Sequence, residues 1–589
     1  MKKIIILFAL VVLSVSLFSR EIMKLSEVKE GMTGIGKTIF KGTKIETFEF
    51  KVLGILENIL APGKDIIFVE LFSPVLEESG VIAGMSGSPL YIDGKVIGAV
   101  AFGFNFAKKP IGGVTPIEDI IETSEYNKPL YQIDITDIKV EFDEKNIKKI
   151  LNVIQRELVG RINFSPIKDM SPIELIPSNR GFSRSTLSYF TPIFPRAVTA
   201  TVPRQFGTDS IKEDLFKISP ADAVSIPLVR GDFEFAASGT VTYVDGSKVY
   251  LFGHPFFNLG TVDFPLHKAE IITVFPSYIN SFKLAATKHM IGTVVQDRFS
   301  AVQGELGRAP YMIPLEVFLK NRNRKFDVEM VDHPLLTPAL TFVTLNSIFS
   351  SEYQDFGFRS LRVQGKIFIE NERNIIVDDL FSGADAVTEF SGLITAINFF
   401  IMNNKEKKIK LQKINFEISG SEDIRRATIE NVIIEKNAYK PGELINVSIH
   451  LKNERGIAQV ESAGFKAPNL SPGTVFYLMV ADRKEINKFE TKNIKNPYFP
   501  EKLNPLIRAI NNLRKNNRIY IKLMTQTRGL YIKGYEYSNL PLSLQNVFVY
   551  NTSSKTQSKI RFSTITEYQV EVPAVIRGNK LFKLKIKER

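Results

Sequence analysis

The 589-residue chain contains no cysteine. This excludes a disulfide framework, a thiolate metal site and a lipoprotein acylation point, so packing alone must hold the fold. Histidine is scarce: His254, His267, His289, His333 and His450 are the only five, which narrows any search for a neutral-pH base. Long apolar runs are missing beyond the N-terminus. "FSGLITAINFFIM" (Phe390–Met402) is too short to span a bilayer and follows Asp385 and Glu389, so it reads as a buried helix. No nucleic-acid module is recognisable, although the net charge is +13 and the pI near 9.3. The basic residues are scattered, with denser runs at Lys405–Lys413 and in the C-terminal "KLFKLKIKER". Such runs are usually solvated faces; a weak attraction to anionic envelope surfaces is the functional alternative.

The chain opens with Lys2 and Lys3, then an apolar run from Ile4 to Phe18 broken only by Ser14 and Ser16. That pattern predicts a secretory signal peptide over 1–19, cleaved after Ser16 or Ser19, and a body that works outside the cytoplasm, secreted or in the periplasm or cell envelope. An uncleaved N-terminal anchor is the alternative, and no further membrane span is expected. The remaining length suggests three or four domains, and 44% hydrophobic residues suffice for packed cores.

After the signal, "TFEFKVLGIL", "DIIFVELF" and "PLYIDGKVIGAVAFGF" read as strands, the last turning at Asp93-Gly94. Residues 20–130 therefore form one β-rich region. Over Asp143–Gly160, Ile147, Ile150, Leu151, Ile154 and Leu158 share a helical face, with Asp143 as N-cap, inside a helical and irregular connection over 131–196. A second β-rich region, 197–377, carries its own hairpin, "GTVTYVDGSKVYLFGHPF", turning at Asp245-Gly246. Two such regions hint at a duplicated barrel. A helical connector is expected over 378–424. Alternation of Ile445, Val447, Ile449 and Leu451 after Pro441-Gly442 predicts a small immunoglobulin-like sandwich over 425–500, and a C-terminal β-rich piece fills 501–589.

"GMTGIGKT" (Gly31–Thr38) matches the phosphate-binding pattern G-x-x-x-x-G-K-[ST]. A working phosphate loop needs a strand before it and a helix after it. Here polar "MKLSEVKE" precedes the match and strand-like "IFKGTKIETFEF" follows it. The match is read as chance.

The informative stretch is "SGVIAGMSGSPLYIDGKVIGAVAFGFNFAKKPIGGVTPIEDII" (Ser79–Ile121). In "GMSGSP", glycines flanking Ser86 permit a sharp turn that exposes a hydroxyl. The same turn aims the amides of Gly84, Met85 and Ser86 at one point, supplying an oxyanion hole for acyl transfer. The return strand of the following hairpin, with Ala99, Val100, Ala101, Phe102 and Gly103, can pair with an extended peptide backbone. This order of turn, hairpin, substrate strand and closing strand looks like the second barrel of a trypsin-like protease. A structural Gly/Ser turn is the bland alternative.

A serine hydroxyl needs a base. His254, in "YLFGHPFFNLG", ends a strand beside Gly253, where a second barrel can present its imidazole to Ser86. His267 is a weaker candidate. His289 and His333 lie in turn-like contexts, and His450 alternates outward on the sandwich strand.

"LEESGVIAGMSGSPLYIDGKVIGAVAFGF" and "GTVTYVDGSKVYLFGHPF" resemble the SpoIVB-type serine peptidases, a trypsin-like family. The resemblance implies that Ser86 is the nucleophile, His254 the base and a peptide or protein the substrate, with no metal or organic cofactor. It also implies two trypsin-like barrel halves, here with the serine block ahead of the histidine block and no PDZ-like segment. The third triad member stays unassigned. The family position in "FVELFSPVLEESG" holds Ser73, and Glu70, Glu77, Glu78 and Asp263 are alternatives that spacing cannot separate.

Two functions follow as expectations. The first is an exported serine endopeptidase acting through Ser86 and His254, with the C-terminal domains binding an envelope partner. The second is an envelope protein that keeps the barrels without catalysis and binds an extended peptide or partner protein.

Overall fold

The computed structural model describes residues 22–587 apart from 105–106, 126–143, 163–169, 174, 176, 189–216, 279, 357–358, 495–499, 501, 533–534, 539, 542 and 545–556. The expected signal segment and the N-cap at Asp143 lie outside the described residues. The fold is mainly β. Contacts divide the chain into two compact units, one of residues 1–133, 151–312 and 328–347, the other of residues 134–150, 313–327 and 348–589.

The first unit is built on β1 (Thr33–Thr38), β2 (Glu46–Ala61), β3 (Lys64–Phe72), β4 (Pro89–Ile92), β5 (Lys95–Phe104) and β6 (Ile111–Pro116). Phe48, Phe50 and Val52 are buried while the alternating Thr47, Glu49 and Lys51 are not, the period of two that a strand with one solvated face requires. The strands pair in the order β1-β2-β3-β6-β5-β4, and β4 returns to β1, closing a six-stranded barrel. Asp93-Gly94 connects Ile92 to its partner Lys95, the two-residue hairpin its sequence predicts.

Gly31–Thr38 therefore is no phosphate loop. Thr33–Thr38 is β1, antiparallel to Glu46–Lys51, and β2 rather than a helix is the next regular element. Gly36 is needed for packing: a Cβ there would lie 2.2 Å from the Phe48 ring.

Two short strands, β7 (Met170–Pro172) and β8 (Ser178–Arg180), precede the second set. This comprises β9 (Ala223–Gly231), β10 (Glu234–Asp245), β11 (Lys248–Leu251), β12 (Gly260–Phe275), β13 (Phe282–Asp297) and β14 (Val302–Leu306). They pair as β9-β10-β11-β14-β13-β12, and β12 returns to β9. Both rings thus share one order: first, second, third, sixth, fifth, fourth strand. Val224, Ile226, Val241, Leu251, Phe264 and Val294 are buried in the second. The helix expected between the rings runs Glu144–Ile162, with Ile150, Ile154 and Leu158 buried.

In the second unit, Ile375–Ser382 and Leu411–Ser421 are strands flanking the apolar helix Ala386–Met402, in which Phe390, Ile394, Phe399 and Phe400 are buried. Further on, a four-stranded and a six-stranded sheet share one core that includes Ile429, Val447, Ile449, Phe476, Leu478, Ile521 and Leu584. Strands from both 425–500 and 501–589 contribute to each sheet. Among the described residues no helix is long and apolar enough to cross a membrane.

Candidate active site

The serine turn leads into β4, the fourth strand of the first ring, and the histidine loop follows β11, the third strand of the second. Met85 is fully buried in the first barrel's core, which turns its neighbours toward the second barrel. Burial of such a side chain stabilises the turn by about 1.5–3 kcal/mol. Gly87 N–H donates to Val100 O (2.9 Å) and Val100 N–H to Ser88 O (3.0 Å), tying the turn to the expected substrate strand.

Thr240 of β10 joins the two candidate elements. Its N–H donates to Ser86 O (2.9 Å), its hydroxyl to Gly84 O (3.0 Å), and its carbonyl accepts from Phe252 N–H (3.3 Å). Phe252 has φ 70°, an uncommon conformation for a bulky residue, and bends the chain from β11 toward His254. Thr115, on β6, donates its hydroxyl to Gly253 O (2.5 Å). Two stretches far apart in sequence, one from each barrel, thus meet at one place.

The side chains there are closed off. Ser86 is 0% and His254 2% exposed. Neither Ser86 Oγ nor His254 Nε2 has a hydrogen-bond partner, so the two do not bond to each other. His254 Nδ1 lies 2.8 Å from Pro255 O. A carbonyl only accepts, so Nδ1 carries the proton and Nε2 keeps its lone pair. Burial holds the imidazole down to about 4, against the Pro255 hydrogen bond, which raises it. The ring is therefore neutral near pH 7. Ser88, by contrast, is engaged: its hydroxyl donates to Thr38 Oγ1 (3.0 Å).

Among the three expected oxyanion amides, Met85 N–H is used by Ile82 O (3.0 Å). Those of Gly84 and Ser86 make no hydrogen bond among the described residues. Ala99–Gly103 lies within β5, and Phe102 and Gly103 pair on one side with β6 and on the other with β7.

None of the weighed carboxylates hydrogen-bonds to the imidazole. Glu70 pairs with Lys109 (2.8 Å), Glu77 and Glu78 are exposed on the helix Pro74–Ser79, and Ser73 N-caps that helix through Leu76 N–H. Asp263 accepts from Tyr311 N–H (2.8 Å) and Arg308 (2.9 Å). His267 Nδ1 bonds Lys288 O, and His333 Nδ1 accepts from Leu335 N–H.

Sequence reasoning passed over two buried groups. Asp297, at the end of β13, accepts from Phe256 N–H and Phe257 N–H (both 2.8 Å) and Leu259 N–H (3.2 Å), clamping the loop just after His254. Burial pushes its carboxyl up to about 6 although those amides oppose the shift. Lys283 of β13 crosses beneath the serine turn. A Cβ on Gly84 would lie 3.2 Å from its own Cβ, and its Nζ donates to Thr38 Oγ1 (2.7 Å), the atom that also receives the Ser88 hydroxyl. Burial lowers the ammonium to about 7. Among the described residues no cluster of three or more His, Asp or Glu side chains is placed to hold a metal.

Residues 18–121 match the family model of the SpoIVB peptidase S55. This stretch is similar to that family. It carries the whole first ring and the GMSGSP turn; His254 lies beyond it. No curated protein and no solved structure matches the chain.

Proposed function

We propose that the chain is an exported SpoIVB-like serine endopeptidase, working in the cell envelope or secreted. Ser86 Oγ attacks a peptide carbonyl, His254 Nε2 takes and returns the proton, and the amides of Gly84 and Ser86 hold the oxyanion. The observation that carries this reading is the convergence of a family serine turn with a neutral imidazole whose tautomer leaves Nε2 free. Pro255 O does part of what a triad carboxylate does, since it fixes the tautomer; the wrong tautomer costs about 10⁴ in turnover elsewhere. Its neutral oxygen stabilises an imidazolium less than burial destabilises it, so the base is weak and the enzyme slow. Asp297 acts one step removed, as a positioning residue that holds the loop. Substrate is a peptide or protein, and the second unit's sheets offer a surface to an envelope partner.

A second reading, a non-catalytic peptide-binding protein, is favoured by the absence of a Ser86–His254 hydrogen bond and by the burial of Ser86. Labelling with a fluorophosphonate separates the two. Hydrolysis predicts labelling of the full chain that disappears in Ser86→Ala and drops strongly in His254→Ala. A folded protein that never labels supports binding alone.

A further inference from the structure

We propose that Met170–Ile173 is a resident strand seated on the peptide-binding edge beside Ser86, and that the site takes extended peptides presenting proline followed by a branched aliphatic residue. The specificity part rests on the function proposed above; the occupancy part stands on backbone pairing.

One side of β5 can be read residue by residue. Gly98 and Ala99 face Leu90 and Pro89 of β4. Val100 bonds Gly87 and Ser88 of the serine turn, as described above. Next, Ala101 O accepts from Ile173 N–H (2.8 Å), and then Phe102, Gly103 and Phe104 face Pro172, Ser171 and Met170. Successive residues of a strand advance by about 3.3 Å, so Ile173 occupies the place next to the turn. The pairing is antiparallel, so the segment runs toward the turn, with the carbonyl end of Ile173 leading. An extended peptide delivering a carbonyl to Ser86 would take this edge in this direction.

The side chains define what fits. Ile173, 6% exposed, packs into the core cluster that contains Met85 and Val100, against half-buried Val81. It also borders a cleft of about 470 Å³ lined by Val81, Gly103, Phe104, Ile111 and Pro172. Pro172 donates no N–H, which suits a position on an edge strand. β7 has only three residues; Met170 and Ile173 anchor the segment at its ends while Ser171 and Pro172 stay partly exposed, and so short an element can open locally. Being tethered, it has an effective concentration on the order of mM and excludes free peptide of similar sequence.

The test uses full-length protein in a Ser86→Ala background, so that binding is read without turnover. Ile173→Ala empties the pocket, and Ser171→Pro, at a half-exposed residue, breaks the pairing without touching the core. Fluorescein-labelled Met-Ser-Pro-Ile peptide should bind either variant at least tenfold more tightly than the parent, and an Ala-for-Ile peptide should bind at least tenfold more weakly than the original. Equal binding to parent and to whichever variants fold overturns the proposal, as does equal binding of the two peptides. With Ser86 restored, the same substitutions should speed fluorophosphonate labelling about tenfold. If peptide binding rises and no form labels, the resident strand stands and the peptidase reading falls.

Discussion

Lys283 donates from within the protein to Thr38 across the two barrels, Nζ to Oγ1 at 2.7 Å. Its charged environment is thin: Glu46, opposite Thr38 on β2, favours the ammonium, the Phe40 ring lies 6.0 Å away, and burial dominates. A lysine whose folded value lies near 7, below its usual 10.5, binds fewer protons folded than unfolded between those values. Its contribution to stability is complete above about pH 10.5 and is lost as pH falls toward 7. Lys283→Met keeps the stem and removes the charge. Urea unfolding of wild type and variant should show wild type gaining on the variant by roughly 3 kcal/mol between pH 7 and pH 10. Parallel stability curves would mean that the amine does not titrate there.

His254 yields a second pH dependence. With its imidazole held down to about 4, the neutral form that can accept the Ser86 proton persists well below pH 6. In Asp297→Asn, which removes the loop carboxyl that titrates near 6, fluorophosphonate labelling should be flat from pH 8 to about 5.5 and fall only as pH approaches 4. A limb centred near 6.5 would show that the imidazole is solvated when it reacts. The same depressed value makes His254's stability contribution present above about pH 6.5 and lost as pH falls through about 4.

Much of the fold was legible where local chemistry decides it. Asp93-Gly94 and the alternation of β2 write the first barrel into the chain, and the flanks of Gly31–Thr38, polar before and strand-like after, dismiss the phosphate loop. The repeated hairpin hints at duplication, but the common strand order depends on pairings such as β9 with β12, which no local pattern encodes. Ser86 stands out because glycines surround it, and His254 because so few histidines exist. Asp297 does not, since its partners are backbone amides that carry no side-chain signature. Lys283 had one readable sign: alternation through Phe282, Lys283, Leu284 and Ala285 puts it on the buried side with Ala285. Ser73, which stands where the family's acid is expected, is a helix cap, a role that needs only a hydroxyl and the Pro74 that follows.

Asp297 should matter more than its distance from the chemistry suggests. Its carboxylate is fully buried and receives three amides, so Asp297→Ala leaves Phe256, Phe257 and Leu259 N–H without a buried acceptor. The expected cost is about 3–5 kcal/mol in urea unfolding. Asp297→Asn keeps one accepting oxygen and should cost about half as much. Because the loop carries His254, labelling in folded Asp297→Asn should slow at least tenfold without moving the acidic limb near pH 4. A variant labelling at the wild-type rate would detach the clamp from the site.

Gly87 tests how tightly the two barrels close on the serine turn. Its φ is 93°, in the region that L side chains rarely adopt, and a Cβ there would fall 2.1 Å from Thr240 O and 2.6 Å from Phe252 N. Both contacts are backbone, and Thr240 is the residue that holds Ser86 and the histidine strand together, so neither can give way without opening the junction. At Gly84, φ 94°, the nearest atom is instead Lys283 Cβ at 3.2 Å, a contact that a displacement of about a few tenths of an ångström relieves. Gly87→Ala should therefore destabilise by more than about 3 kcal/mol, against roughly 1–2 kcal/mol for Gly84→Ala, where backbone conformation is the main penalty. Thermal unfolding of the two variants side by side checks the order. Equal losses would mean that the serine turn and β10 stand farther apart than the Thr240 hydrogen bonds require.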